Sequence, residues 1–233
     1  MPGRIFITGD THGRHDMAKL SKKQWPEGAT LTRDDYIIVA GDFGLIFYPT
    51  PDAEEIWWTK WLKERPFTVL LVDGNHDNHV RLAELPQEEM FGGIVGKVAD
   101  NICHLKRGYV YEIAGRKILA FGGAESIDKL HRTEGISWWR EEIPSYAEMS
   151  RCLDSMAQCE YKVDYIVAHT CPSTLAHIIV NEIGGVKNED PTCGMLEHIV
   201  TSCEYKGFYC GHWHIDKDLG KFHFLYERII ELD

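Results

Sequence analysis

The chain has 233 residues, 44% of them hydrophobic and 11% aromatic, which suits one large domain with a sizeable core. Its formal net charge of -11 excludes a surface built to coat nucleic acid, which needs a basic stripe; a small nucleotide held through metal ions stays compatible. Seven cysteines without a Cys-x-x-Cys pair fit reduced thiols, and no apolar run approaches the ~18 residues of a membrane span.

In chain order, residues 4–8 form an apolar strand that runs into Gly9-Asp10-Thr11-His12-Gly13. A strand starting at Arg4 leaves no room for a signal peptide, so a cytoplasmic protein with no membrane contact is expected. A short helix follows with Met17 and Leu20 inward. Residues 35–40 make a second strand, which stops at Gly41-Asp42-Phe43-Gly44. Asp52 and Glu55 read as a capping box for a helix that carries Trp58, Trp61 and Leu62 on its inner stripe and closes at Pro66. Thr68–Val72 is a strand buried on both faces, and Gly74-Asn75-His76-Asp77 follows it. The first third is thus β-α-β-α-β, with polar residues after each strand, where such sheets collect their ligands.

The middle changes character. Residues 109–113 and 117–121 read as a hairpin around Ala114-Gly115, broken by Gly122-Gly123. Residues 124–144 form a polar, aromatic insert. Ser145 and Glu148 make a second capping box ahead of a stripe of Met149, Cys152, Leu153 and Met156. Residues 165–168 are a strand ending at His169-Thr170-Cys171-Pro172. After Gly184-Gly185 comes a helix with Leu196, Ile199, Val200 and Cys203 inward. Residues 206–210 are a core strand ending at Gly211-His212-Trp213-His214, and two edge-like strands finish the chain. No repeat or linker divides the chain, so 1–233 is expected to be a single domain.

Five strand ends therefore present Asp10 and His12, Asp42, Asn75 and His76, His169, and His212 and His214. In extended backbone, residues i and i+2 face the same side about 6.6 Å apart, so Asp10/His12 and His212/His214 are expected to converge. Imidazoles with carboxylates suit Zn, Mn, Fe or Ni better than Ca. Asp42, alone on its loop, is the natural bridge between two ions.

In their order and spacing these five motifs resemble the calcineurin-like metallophosphoesterase family, over residues 9 to 214. The resemblance implies an α/β fold, a four-layer sandwich of two facing mixed sheets flanked by helices. It implies two divalent ions, manganese first, with iron, zinc or nickel as alternatives. Asp10, His12, Asp42 and His214 would hold one ion; Asp42, Asn75, His169 and His212 would hold the other. The expected reaction is in-line attack on phosphorus by a hydroxide held between the ions. His76, not needed as a ligand, is free to protonate the leaving oxygen. Asp77 and Asp73 are the candidates to orient it, or else turn residues.

One departure narrows the function. Protein phosphatases of the family extend the second motif to an Asp-Arg pair, and here Phe43-Gly44-Leu45-Ile46 follows Asp42. Phosphate contacts must come from elsewhere, with Arg132 and His131 in the insert and Arg14 after the first motif as candidates. Trp138 and Trp139 either stack on the substrate or pin the insert to the core. The expected activity is hydrolysis of a small phosphomonoester or phosphodiester, a nucleotide among the candidates, with substrate choice in the insert. The alternatives are a protein Ser/Thr phosphatase, a non-catalytic metal-binding scaffold on the same fold, and a structural metalloprotein.

Overall fold

A computed structural model of the chain describes residues 3–184 and 190–233. Among the described residues thirteen strands divide between two sheets. The first third supplies β1 (Ile5–Thr8), β2 (Tyr36–Ala40), α1 (Ala53–Lys63) and β3 (Thr68–Val72). The crossover from β1 to β2 runs through two 3-10 turns, Met17–Leu20 and Pro26–Thr30, rather than an α-helix. Asp52 caps α1 by accepting from Glu55 N at 2.7 Å. The reciprocal half of the expected box is absent, because the Glu55 carboxylate is taken by Arg81 at 2.8 Å and 2.6 Å.

Residues 79–105 add α2 (His79–Glu84), β4 (Gln87–Met90), β5 (Gly93–Ala99) and β6 (Ile102–Leu105). The hairpin is β7 (Tyr109–Ile113) and β8 (Arg116–Phe121), closed by Ala114 and Gly115, both at positive φ as a tight two-residue turn requires. Then come α3 (Tyr146–Gln158), with its full capping box, β9 (Tyr165–Ala168), α4 (Ser173–Ile183), α5 (Pro191–Ser202) and β10 (Gly207–Cys210). Gly184 ends α4 in the left-handed conformation, and Gly185 lies outside the described residues. Three short strands close the chain rather than two: β11 (Lys217–Leu219), β12 (Phe222–Phe224) and β13 (Ile229–Glu231).

The seven-stranded sheet has the order β13-β1-β2-β3-β6-β5-β4 and the six-stranded sheet β11-β12-β10-β9-β8-β7. Both are parallel at the centre and antiparallel at the edges. Three apolar clusters define the layering. Ile7, Ile38 and Leu70 of one sheet meet Tyr111, Ile118 and Val167 of the other. Phe6, Ile37 and Val69 face Trp25, Leu62 and the half-buried Trp58 and Trp61. Leu119, Ile166 and Phe208 face Met156, Ile179 and Leu196 of α3, α4 and α5. The result is the expected four-layer α/β sandwich. All seven cysteines are free, and among the described residues no helix is long and apolar enough to cross a membrane.

Candidate metal centre

The parallel strands β1, β2, β3, β9 and β10 end on the same side of the sandwich, and the loops that follow them close on one another. The loops are sharply bent. His12, Asp42, His212 and His214 all have left-handed backbone, with φ of 40°, 46°, 67° and 49°. A non-glycine residue there is strained by about 1–3 kcal/mol, and such strain collects where a site demands it. The Asp10/His12 and His212/His214 pairs thus converge through left-handed turns, not through the extended backbone expected. Two glycines make the close approach possible. A Cβ on Gly211 would stand 1.9 Å from Asp10 Oδ1, and one on Gly74 2.1 Å from Asp42 Oδ1. The amides that follow use this space: His212 N donates to Asp10 at 2.9 Å, and His76 N to Asp42 Oδ1 at 2.7 Å.

Two groups of donors result. In the first, His214 Nε2 is 3.1 Å and His12 Nε2 4.0 Å from Asp10 Oδ2, and the ligand atoms of all three lie within 4.8 Å of one another. In the second, Asn75 Oδ1 lies 3.1 Å from both His169 Nε2 and His212 Nδ1. Asp42 stands between the groups. Its Oδ2 is 3.5 Å from His12 Nε2 and its Oδ1 3.3 Å from His169 Nε2. The far ring nitrogens are anchored: His12 Nδ1 faces Asp16 Oδ2 at 2.9 Å, and His169 Nδ1 faces the Ala40 carbonyl at 3.0 Å. Anchoring one nitrogen fixes the ring and turns the other inward, the usual support of a metal-binding histidine.

Charge decides whether ions fit. Asp10 and Asp42 are buried, and among the described residues no lysine or arginine pairs with either carboxylate. Buried carboxylates need compensation, and here imidazoles supply it. Burial pulls His169 down, but Asp42 and Asp10 outweigh it and hold the ring up at about 10. Burial likewise lowers His12, but Asp42, Asp10 and Asp16 outweigh it and raise the ring to about 9. His212, buried beside His169, is pushed down to about 3. Two protons thus stand beside the carboxylates a divalent cation would neutralise. Carboxylates, imidazoles and one amide oxygen form a donor set that suits first-row divalent ions, so the residues fit a metal pair.

The remaining expected residues are spread wider. His76 lines a cleft of 670 Å³ in front of the centre, with His12, His214, Arg14, Phe47, Tyr48 and Tyr226. Its Nε2 accepts from Arg132 Nη2 at 3.2 Å. Burial, with Arg132, His12 and His169 nearby, lowers its pKa. Arg132 also pairs with Asp128 at 2.7 Å and donates to the Ser137 carbonyl at 3.2 Å. Arg14 reaches the cleft but is paired with Glu54 at 2.9 Å. His131 is exposed and is not among the residues lining the cleft. The insert meets the site through Arg132 and through Ser126, whose Oγ accepts from Asn75 Nδ2 at 3.4 Å, while Trp139 is buried against Phe47 and His79, which makes it a pin and not a stacking platform.

Among the described residues, the carboxylates of Asp77 and Asp73 bond to groups other than His76. Buried Asp77 accepts from Gly44 N at 2.9 Å and Gly74 N at 2.8 Å, clamping the second loop to the third; burial and the facing Asp42 push it up to about 7. Asp73 is the anion of a buried cluster missed in the sequence. Arg107 Nε donates to its Oδ2 at 2.7 Å, His104 Nε2 lies 3.0 Å from its Oδ1, and Arg107 Nη2 continues to His79 Nδ1 at 3.4 Å. Burial would raise Asp73, yet Arg107 and His104 hold it well below the usual carboxylate range.

A search of curated proteins finds no match to this chain. A family model described as calcineurin-like phosphoesterase matches residues 3–173, nearly three-quarters of the length. That family uses divalent metals and consists mostly of phosphoester hydrolases. The match takes in Asp10, His12, Asp42, Asn75 and His169, and the fold carries His212 and His214 from beyond it into the same centre. With two mixed sheets, converging loops and this match, the chain belongs to the calcineurin-like phosphoesterase family.

Proposed function

We propose that this chain hydrolyses a small phosphomonoester or phosphodiester in the cytoplasm, using two divalent ions of which manganese is the first choice. The observation that carries the reading is Asp42, whose two oxygens face the two donor groups, one each, at 3.5 Å and 3.3 Å. Asp10, His12, Asp42 and His214 would hold one ion, and Asp42, Asn75, His169 and His212 the other. Bound there, the ions would neutralise the phosphate oxygens and acidify water.

The chain's own residues do the rest. His76 borders the cleft and holds its Nε2 toward Arg132. In that arrangement Nε2 is an acceptor and carries no proton. A phosphate entering the cleft offers Arg132 a stronger acceptor. Arg132 turning to phosphate would free Nε2, and the adjacent anion would raise the His76 pKa, readying the imidazole to protonate the leaving oxygen. Phe47, Tyr48 and Tyr226 give the cleft apolar walls for the leaving group, a nucleoside among the candidates. A cleft of 670 Å³ suits such a molecule better than the extended phosphopeptide of a protein phosphatase.

Manganese titration of metal-free protein should reach two equivalents. p-Nitrophenyl phosphate and its bis ester should both be assayed, and the better one used. Asp42→Asn should lose much of the metal and nearly all of the turnover on it. Near-normal turnover in that variant would refute the bridging role.

A further inference from the structure

Lys19 has no place in the reaction described so far, and its environment is unusual. It sits on the 3-10 turn Met17–Leu20, between two core residues, and is only 4% exposed. Among the described residues its ammonium has no carboxylate partner within hydrogen-bonding distance. Instead Nζ donates to three carbonyls: Gly9 at 3.1 Å, Asp10 at 2.6 Å and Tyr226 at 2.5 Å. All three N–H bonds are used: two end on the first loop of the metal centre, and the third on the residue whose ring lies against His214. Burying an ammonium without an opposite charge in contact is costly. A methionine would fill the same space without that cost but could not bond the carbonyls.

The three carbonyls connect two donors. Asp10 is held at both ends, its carbonyl by Lys19 and its carboxylate by the His212 amide. The Tyr226 ring lies flat on His214, with centroids 4.8 Å apart and an interplanar angle of 15°. Lys19 thus fixes the Asp10 backbone relative to the aromatic plate that backs His214, the two residues whose ligand atoms are 3.1 Å apart. Gly9 reports how close these loops run, since a Cβ there would stand 1.9 Å from the Leu225 carbonyl.

We propose that Lys19 is a positioning residue that sets the affinity of the ion held by Asp10, His12 and His214, leaving the ion of the Asn75 group largely unaffected. This rests on the two-ion reading above. Mn2+ binding to metal-free protein by calorimetry separates the two. His214→Ala identifies which equivalent belongs to the Asp10 group. Lys19→Met should weaken that same equivalent by about ten-fold or more and leave the other within about two-fold. Lys19→Gln, which keeps a donor in the same space but not the three-bonded ammonium, should weaken the same equivalent more than the other, and it decides the matter if Lys19→Met does not fold. A purely structural lysine would instead weaken both equivalents together with the melting temperature, and that result overturns the proposal. Unchanged affinity at both equivalents also overturns it. A wild type binding one equivalent would defeat the two-ion reading; Lys19 then stands or falls on whether Lys19→Met weakens that equivalent as His214→Ala does.

Discussion

Arg107→Met tests the least visible part of this architecture, the buried ion pair beneath the third motif. Asp73 is 2% and Arg107 4% exposed, so solvent screens their contact little. The substitution leaves Asp73 with the imidazoles of His104 at 3.0 Å and His79 at 3.9 Å, and strips the Glu142 carbonyl of a donor at 3.2 Å. Removing one partner of a buried pair costs about 3–5 kcal/mol, because the other charge remains without compensation. For a chain of this length, that lowers the melting temperature by roughly 6–20 °C. The pH dependence gives the sharper check. The folded-state pKa of Asp73 is depressed, so the pair's contribution is present above the unfolded value near pH 4 and is lost as pH falls through the folded value. In the variant, burial without the cation raises that pKa, so the stability of the variant should fall as pH rises above about 4. The gap between wild type and variant should therefore widen from about pH 3 to pH 7. Urea unfolding of chelator-treated protein at both pH values measures it. A gap below about 1 kcal/mol at pH 7, or one unchanged by acid, would refute the reasoning.

Two further substitutions address the chemistry. His76→Gln should retain both metal equivalents by elemental analysis yet lose about 10²–10⁴-fold in turnover on alkyl esters; the loss should shrink on nitrophenyl esters, and equal losses on both would remove the general-acid role. Arg132→Ala should lower kcat/KM by roughly 10- to 150-fold, the value of a charge-assisted bond of about 1.5–3 kcal/mol. Because Arg132 lowers the His76 pKa, the same variant should move the His76 limb of the pH–rate profile to higher pH, and an unmoved profile with unchanged kcat/KM would assign Arg132 to the insert alone.

The donors were legible in the sequence because each follows a strand whose apolar run stops abruptly. Thr68–Val72 is buried throughout, and Asn75 and His76 come directly after it. The manner of convergence was not legible. Period-two spacing describes extended chain, whereas His12, His212 and His214 turn left-handed under constraints that exist only once Asp10 meets the His212 amide. Residues 87–105 were silent for a different reason. β4 is an edge strand of mostly exposed polar residues, and β5 contains two glycines, so neither shows the alternation of a half-buried strand. Lys19 and Arg107 were invisible because a lone cation in sequence reads as surface, and only the fold shows which carbonyls or carboxylate it faces. Trp139 was assignable to the core only when Phe47 and His79 were seen beside it.

The wiring between the first and last loops also sets a timetable. The Asp10 carboxylate takes the amide of His212, 202 residues further along the chain. At about 5–20 residues per second, a ribosome needs roughly 10–40 s to make that stretch. Throughout that interval β1 lacks its partner β13, and Lys19 has no Tyr226 carbonyl to bond. On the two-ion reading, metal uptake would therefore follow synthesis: the emerging polypeptide offers ions only scattered imidazoles and carboxylates until His212 and His214 reach Asp10.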